Sequence, residues 1–271
     1  MEKLDLSRFG LESEQSYDSD AYDRMKADSY NRTVGSYTEL NCKKCLNRGN
    51  LAVLKEEGGI LFRDCDCMKA RRSLWRMEKS GLKNVIRDMT FDRFRATEGW
   101  QEHIKARAMA YAETLEGWLL FCGQVGSGKS HLCTAVCRHR LLMGEEVRYM
   151  PWRDEIAALK ALSLDNGERS KRISELKEAP ILYIDDLFKC GRSADGTANP
   201  TGADVSIAFE IINYRYSNHL PTILSTEKTP EELLAIDEAT ASRIIERAKC
   251  NILNISRKPE RNYRLRDVIT L

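Results

Sequence analysis

Nowhere in these 271 residues is there a run approaching the roughly 18–20 apolar residues that a membrane span requires. Residues 1–5 hold no apolar signal core, so a protein of the cytosol is expected. Net charge is nearly absent too. Lys and Arg number 43 against 41 Asp and Glu, and the resulting +2 does not by itself indicate a nucleic-acid partner. No internal repeat is visible, which argues against a solenoid or propeller. What is present is a 42% hydrophobic fraction, enough for a substantial core, in a chain long enough for one large domain or two smaller ones. The charge is also unevenly spread. Residues 1–40 are acidic on balance, while 63–95 and 243–266 are basic. Such basic stretches either attract a phosphate backbone or are solvated helix faces.

Cysteine is plentiful, with nine residues. Disulfides are not expected in a cytosolic nucleotide-binding protein. Four thiols form a compact array, Cys42-x-x-Cys45 and Cys65-x-Cys67. Between the pairs, residues 51–54, Gly58-Gly59 and residues 60–62 read as a hairpin that lets the two pairs meet. Four thiolates so joined fit a closed tetrahedral Zn²⁺ site, with Lys43, Lys44 and Arg63 able to offset its charge. An iron–sulfur cluster and unliganded cysteines are the alternatives, and nothing suggests an open, catalytic metal position. Cys133 and Cys137 share a helix face and read as buried thiols packed on a sheet.

The most informative segment is Gly123-Gln124-Val125-Gly126-Ser127-Gly128-Lys129-Ser130, followed by His131. It lies between an apolar run at 118–122, read as a strand, and residues 130–143, read as a helix. Strand, glycine-rich loop and helix is the context of a phosphate-binding P-loop. Backbone N–H groups and the helix N-terminus make an anion site, Lys129 reaches the β- and γ-phosphates, and Ser130 can ligate Mg²⁺. Downstream, residues 181–184 form an apolar strand ending in Asp185-Asp186. Asp185 suits a Mg²⁺-holding carboxylate and Asp186 a base or water-orienting group, on a shorter arm than the more usual Glu. Ser225-Thr226 ends the next strand, where a polar residue either senses the γ-phosphate or orients the water, or caps the following helix. Arg243 is a candidate finger for a neighbour's phosphate or a surface salt-bridging residue.

Around these motifs the pattern is α/β. Helices are expected at 68–80, 100–115, 130–143, 152–162, 168–177, 204–217, 230–235 and 240–248. Strands are expected at 118–122, 147–150, 181–184, 222–225 and 251–255, with residues 82–94 an extended or short-helical lead-in and 190–202 a loop. The alternation predicts a mostly parallel sheet covered by helices on both faces. Before residue 40, a short helix is followed by a loose polar stretch at 13–19, with Tyr17, Tyr22, Tyr30 and Tyr37 as partner anchors or local packing.

Taken together, the cysteine module, Met89-Thr90-Phe91-Asp92-Arg93-Phe94, the P-loop, Asp185-Asp186, Ser225-Thr226 and Ser242-Arg243-Ile244 resemble the replicative helicase loaders of the DnaC/DnaI family of AAA+ ATPases. The nearest form is the zinc-containing type of Gram-positive bacteria and their phages. The same core resembles transposition helper ATPases. The resemblance implies an AAA+ domain at 96–271 without a large C-terminal lid, and an N-terminal helicase-binding region at 1–95. It makes Lys129 and Ser130 the Walker A pair, Asp185 and Asp186 the Walker B pair, Ser225 or Thr226 the first sensor and Arg243 a trans-acting finger. Arg261, Arg264 and Arg266 fall near a second sensor. The implied cofactors are ATP, Mg²⁺ and Zn²⁺. The implied function is ATP-dependent loading of the hexameric replicative helicase onto single-stranded DNA, with self-association through the AAA+ domains and no membrane. A duplex-binding transposition helper and a non-hydrolysing ATP-switched adaptor are the other readings.

Overall fold

The computed structural model describes residues 19–38, 40–77, 85–162, 165–190 and 199–265. Tyr17, the stretch 13–18, Arg266 and most of the loop expected at 190–202 lie outside the described residues. The chain divides into two compact units, Met1–Met68 and Lys69–Leu271.

In the first unit, helix α1 (Ser19–Arg32) precedes an antiparallel hairpin of β1 (Asn50–Leu54) and β2 (Ile60–Asp64). The hairpin is the expected one. Helix α1 was not legible, because its residues show no apolar stripe and only Ala27 is buried. It is held instead by polar bonds to the hairpin. The Tyr30 hydroxyl donates to Asn50 Oδ1 at 2.6 Å, and the Asn31 amide brackets the backbone of Ala52 at 2.9 Å on both sides. Tyr30 also packs edge-on against Phe62.

Helix α2 (Cys67–Met77) leads from the hairpin into the second unit. This unit contains α3 (Val85–Asp88), α4 (Gly99–Thr114), β3 (Leu119–Gly123), α5 (Lys129–Leu142), β4 (Val147–Pro151), α6 (Trp152–Ala161) and α7 (Asn166–Glu178). It continues through β5 (Ile181–Asp185), α8 (Gly202–Ser217), β6 (Thr222–Ser225), α9 (Pro230–Ile236), α10 (Glu238–Ala248) and β7 (Ile252–Ile255). The strands form one parallel sheet in the order β4-β5-β6-β3-β7.

The sheet is covered on both faces, and strand alternation sorts its side chains. Leu120, Cys122, Leu182, Ile184 and Leu224 join one core, packed with Ile156, Ile207, Ile211 and Ile244. Leu119, Phe121, Tyr183, Ile223 and Leu253 join the other, packed with Leu132, Val136, Ile104 and Ala108. Cys133 and Cys137 are fully buried in this second core, as expected of structural thiols, and burial pushes both thiols well above the usual cysteine range.

One buried charge was not anticipated. Arg215 is wholly inside, and burial pulls its pKa down to about 9. It donates to the carbonyls of Leu176, Lys177, Ala179 and Pro221 and to Thr222 Oγ1. These bonds cap the open C-terminal end of α7 and tie it to the start of β6.

Candidate nucleotide site and cysteine cluster

The P-loop joins β3 to α5 at the C-terminal edge of the sheet. Its glycines serve close approach. Gly123 has φ +92°, and a Cβ there would lie 2.1 Å from the Ile255 carbonyl oxygen on the neighbouring strand. Gly128 has φ +91°, and a Cβ there would meet the Phe94 ring at 2.6 Å. A side chain at either position would break the loop or its wall.

The loop opens into a cavity of about 500 Å³. Residues 125–131 form its floor. The lead-in before α4 forms one wall. His131 Nε2 lies 2.8 Å from the Thr90 carbonyl, and Phe94 packs edge-on against the His131 ring. The segment after β7 forms another. Tyr263 N–H donates to the Gly126 carbonyl at 3.0 Å, and the Arg261 guanidinium stands 5.1 Å from the centre of the Trp100 ring. Arg261 and Arg264 both line the cavity. Burial pulls the Lys129 ammonium below the usual lysine range, against the raising influence of Asp186 and Glu227. Its Nζ donates to the carbonyls of Gly123 at 2.9 Å and Gln124 at 2.5 Å. The ammonium is thus held at the base of the loop by contacts that a phosphate can replace.

Asp185 is two strands away from the P-loop strand in the sheet, yet α5 brings Ser130 to it. The Ser130 hydroxyl donates to Asp185 Oδ1 at 2.9 Å. Three further hydroxyls converge on the same carboxylate. Tyr183 reaches Oδ1 at 2.7 Å, Tyr149 reaches Oδ2 at 3.1 Å, and Ser225 bonds closely to Oδ1. A hydroxyl and a carboxylate in contact beside a phosphate loop are the donor set of a Mg²⁺ site, so these residues fit the ion. Asp186 lies in the left-handed region, at φ +58°, and faces the cavity.

The pair Ser225-Thr226, either of which was expected as the first sensor, divides its contacts. Thr226 is buried, and its hydroxyl donates to the Leu187 carbonyl at 2.8 Å while accepting from Lys228 N–H. Thr226 therefore pins the loop after β5. The polar side chain that meets Asp185 is Ser225, whose oxygen also accepts from Asp186 N–H at 2.9 Å. The reason is strand alternation, which turns successive residues to opposite sides.

Arg243 lies on α10. One of its terminal nitrogens donates to the Ala239 carbonyl at 2.7 Å, and its guanidinium stands over Phe209 and Tyr216. It does not line the cavity of its own chain. Trp100, Tyr149, Tyr183, Lys189 and Glu227 were missed as site residues. Only Lys189 carried a signal, its position three residues after the acidic pair.

In the first unit the four cysteines converge. Their sulfurs all lie within 4.8 Å of one another, with Cys42–Cys65 at 3.8 Å and Cys45–Cys67 at 3.6 Å. Sulfurs about 2.3 Å from a tetrahedral Zn²⁺ are about 3.8 Å apart, so the cluster fits the ion. Leu46 and Asn47 both take positive φ, which folds the chain back after Cys45. Burial opposes a thiolate at Cys45, but the Gly49 N–H and the neighbouring sulfurs outweigh it and bring this thiol down to about 7.

A five-stranded parallel sheet in which β6 separates the P-loop strand from the strand bearing Asp185 is a P-loop ATPase fold. The model of the family described as IstB-like ATP binding protein matches residues 53–268, and the chain belongs to that family. The phage-like element PBSX protein XkdC of Bacillus subtilis is 30% identical over 243 residues, spanning 85% of this chain and 88% of the relative. The replicative helicase loader DnaC of Escherichia coli K12 is 27% identical, over 68% of this chain and 74% of its own. Among solved structures, the DnaC helicase loader superposes with a TM-score of 0.52 at 24% identity, covering 61% of this chain and 96% of that one. DnaI superposes at 0.50 with 17% identity, covering 66% and 93%. The protein is therefore a DnaC/DnaI-like AAA+ protein.

Proposed function

We propose that the protein is a Mg²⁺-dependent ATPase that loads a hexameric replicative DNA helicase onto single-stranded DNA. One observation carries the chemistry: the Ser130–Asp185 contact at the lip of a P-loop cavity that also holds Lys129 and Asp186. Mg²⁺ would be held by Ser130 and Asp185, and when bound it supplies charge neutralisation on the phosphates. The P-loop amides and Lys129 bind and orient the triphosphate. Asp186 accepts the proton of the attacking water, on an arm one methylene shorter than Glu. Ser225 orients Asp185 and fixes the Asp186 backbone. Arg243, which does not line the cavity of its own chain, supplies positive charge to the site of an adjacent copy.

The helicase and the DNA enter through the relatives. The Escherichia coli relative is a replicative helicase loader, and this chain covers 74% of it. In this reading the N-terminal region, within residues 1–95, contacts the helicase, the cysteine cluster holds a structural Zn²⁺ that keeps the first unit folded, and the AAA+ domains assemble on DNA in the cytoplasm. Among the described residues no helix is long and apolar enough to cross a membrane.

Two measurements test the proposal. Replicative helicase should co-purify with the tagged protein, and Lys129→Ala should lose ATP-dependent release. Fluorescence anisotropy should report tighter binding to a single-stranded oligonucleotide than to duplex, weakening as salt rises. Preference for duplex, without helicase capture, would instead identify a transposition helper.

A further inference from the structure

Lys189 joins two carboxylates that the proposed chemistry has not yet connected. Its Nζ lies 2.8 Å from Asp186 Oδ2 and 2.8 Å from Glu227 Oε1. All three residues line the same cavity as Lys129 and Ser130.

The backbone around the bridge is fixed. Leu187 N–H donates to the Ser225 carbonyl at 2.8 Å, and Thr226 Oγ1 returns a bond to the Leu187 carbonyl at 2.8 Å. Phe188, at φ +59°, is buried edge-on against Trp152. This cross-tie between the ends of β5 and β6 sets Lys189 opposite Glu227. The Lys189 side chain itself is 40% exposed, so the lysine arm is the part free to move.

The bridge bears directly on Asp186. The ammonium occupies one of the two carboxylate oxygens that could receive a proton from an attacking water. Burial works against the charge on Lys189, but its bonds to Asp186 and Glu227 outweigh burial and raise its pKa, so the ammonium does not neutralise under ordinary conditions. What can draw it away is a competing anion. The cavity is built to receive one, because Lys129, the loop amides and Lys189 face the same space.

We propose that Lys189 is an inhibitory clamp on Asp186, held across to Glu227 in the nucleotide-free protein and drawn off by the terminal phosphate of a bound nucleoside triphosphate in only a minority of molecules at a time. This rests on the ATPase reading and adds its regulation. The third phosphate is the discriminating group, since a ligand shifts an equilibrium only by binding one state better than the other. A diphosphate leaves the clamp closed.

The test is steady-state turnover by the full chain, with nucleotide affinity measured alongside. Lys189→Met should raise turnover by roughly tenfold, less than the 10²–10⁴ that a positioned base contributes in full, while affinity for the diphosphate stays within about twofold. Glu227→Gln, which removes one anchor, should give a smaller rise. Lys189→Arg, which still spans both carboxylates, should raise turnover less than Lys189→Met. Adding Asp186→Asn to Lys189→Met should abolish the gain, since the clamp acts through that carboxylate. If the wild type turns over ATP in an Asp185-dependent manner and Lys189→Met is equal or slower, the clamp is wrong and the ATPase reading stands. If neither wild type nor Lys189→Met hydrolyses ATP despite binding it, the ATPase reading fails and takes the clamp with it.

Discussion

The phenol of Tyr183 donates to Asp185 Oδ1 at 2.7 Å, two residues along the same strand and wholly buried. Burial, followed by the charge of Asp185, pushes this phenol's pKa well above the usual tyrosine range, so it remains a donor at every working pH. The carboxylate that faces the P-loop is thus aimed by the core behind it. Tyr183→Phe keeps the ring and deletes the bond, and a hydrogen bond to a charged group is worth about 1.5–3 kcal/mol. Urea denaturation should show a loss in that range, and half-maximal turnover should need more Mg²⁺. A variant with wild-type stability and Mg²⁺ dependence would show that the phenol does not orient Asp185.

For the cysteine cluster, purified protein should contain close to one equivalent of zinc and no iron. Thiolate ligation and folding are coupled, so Cys45→Ser should release the metal and loosen the first unit, read as faster proteolysis there. The second unit has its own two-sided core and should keep its thermal transition. Less than about half an equivalent of metal in the wild type would argue against a structural site.

Arg243 yields a prediction about assembly. An exposed ion pair contributes only about 0–1 kcal/mol, so a purely surface role predicts nearly normal turnover for Arg243→Ala. A role at a neighbour's site predicts a large loss of turnover with nucleotide binding retained. Mixing is the decisive assay. Arg243→Ala has an intact P-loop, and Lys129→Ala has an intact arginine, so co-assembled mixtures should regain activity that neither variant has alone. Recovery of nothing from confirmed co-assemblies would rule out action in trans.

His131 makes the cavity wall sensitive to acid. Burial holds its pKa below the ordinary 6.5, while its bond to the Thr90 carbonyl works the other way without prevailing. The unfolded chain therefore takes up this proton first as pH falls. The contribution to stability is full above about pH 6.5 and is lost as pH drops through the lowered native value. Urea midpoints at about pH 7.5 and pH 5.5 should fall further apart for the wild type than for His131→Gln. Equal differences would mean that the histidine is not a titrating part of the wall.

Local order was legible in the sequence because each signal is itself local. The glycine pattern of residues 123–130, the apolar runs of β3 and β5 and the cysteine pairs each report a conformation fixed within a few residues. The long helices of the second unit came out within a residue or two for the same reason. Helix α1 did not, since it has no apolar face to repeat and is held by polar bonds to a hairpin some twenty residues away.

The site itself was legible in its parts and not in its wiring. Sequence supplied Lys129, Ser130, Asp185 and Asp186, whereas the parallel order β4-β5-β6-β3-β7 decided which side chains stand beside them. Inserting β6 between β3 and β5 brings Ser225 onto Asp185 and, by the period of two, sends Thr226 to Leu187. It also sets Glu227 across from Lys189, residues that no spacing rule pairs. Motifs are written along the chain because a phosphate loop is one continuous turn. Partners of a carboxylate come from different strands, and only the sheet's order and the alternation of its side chains bring them together.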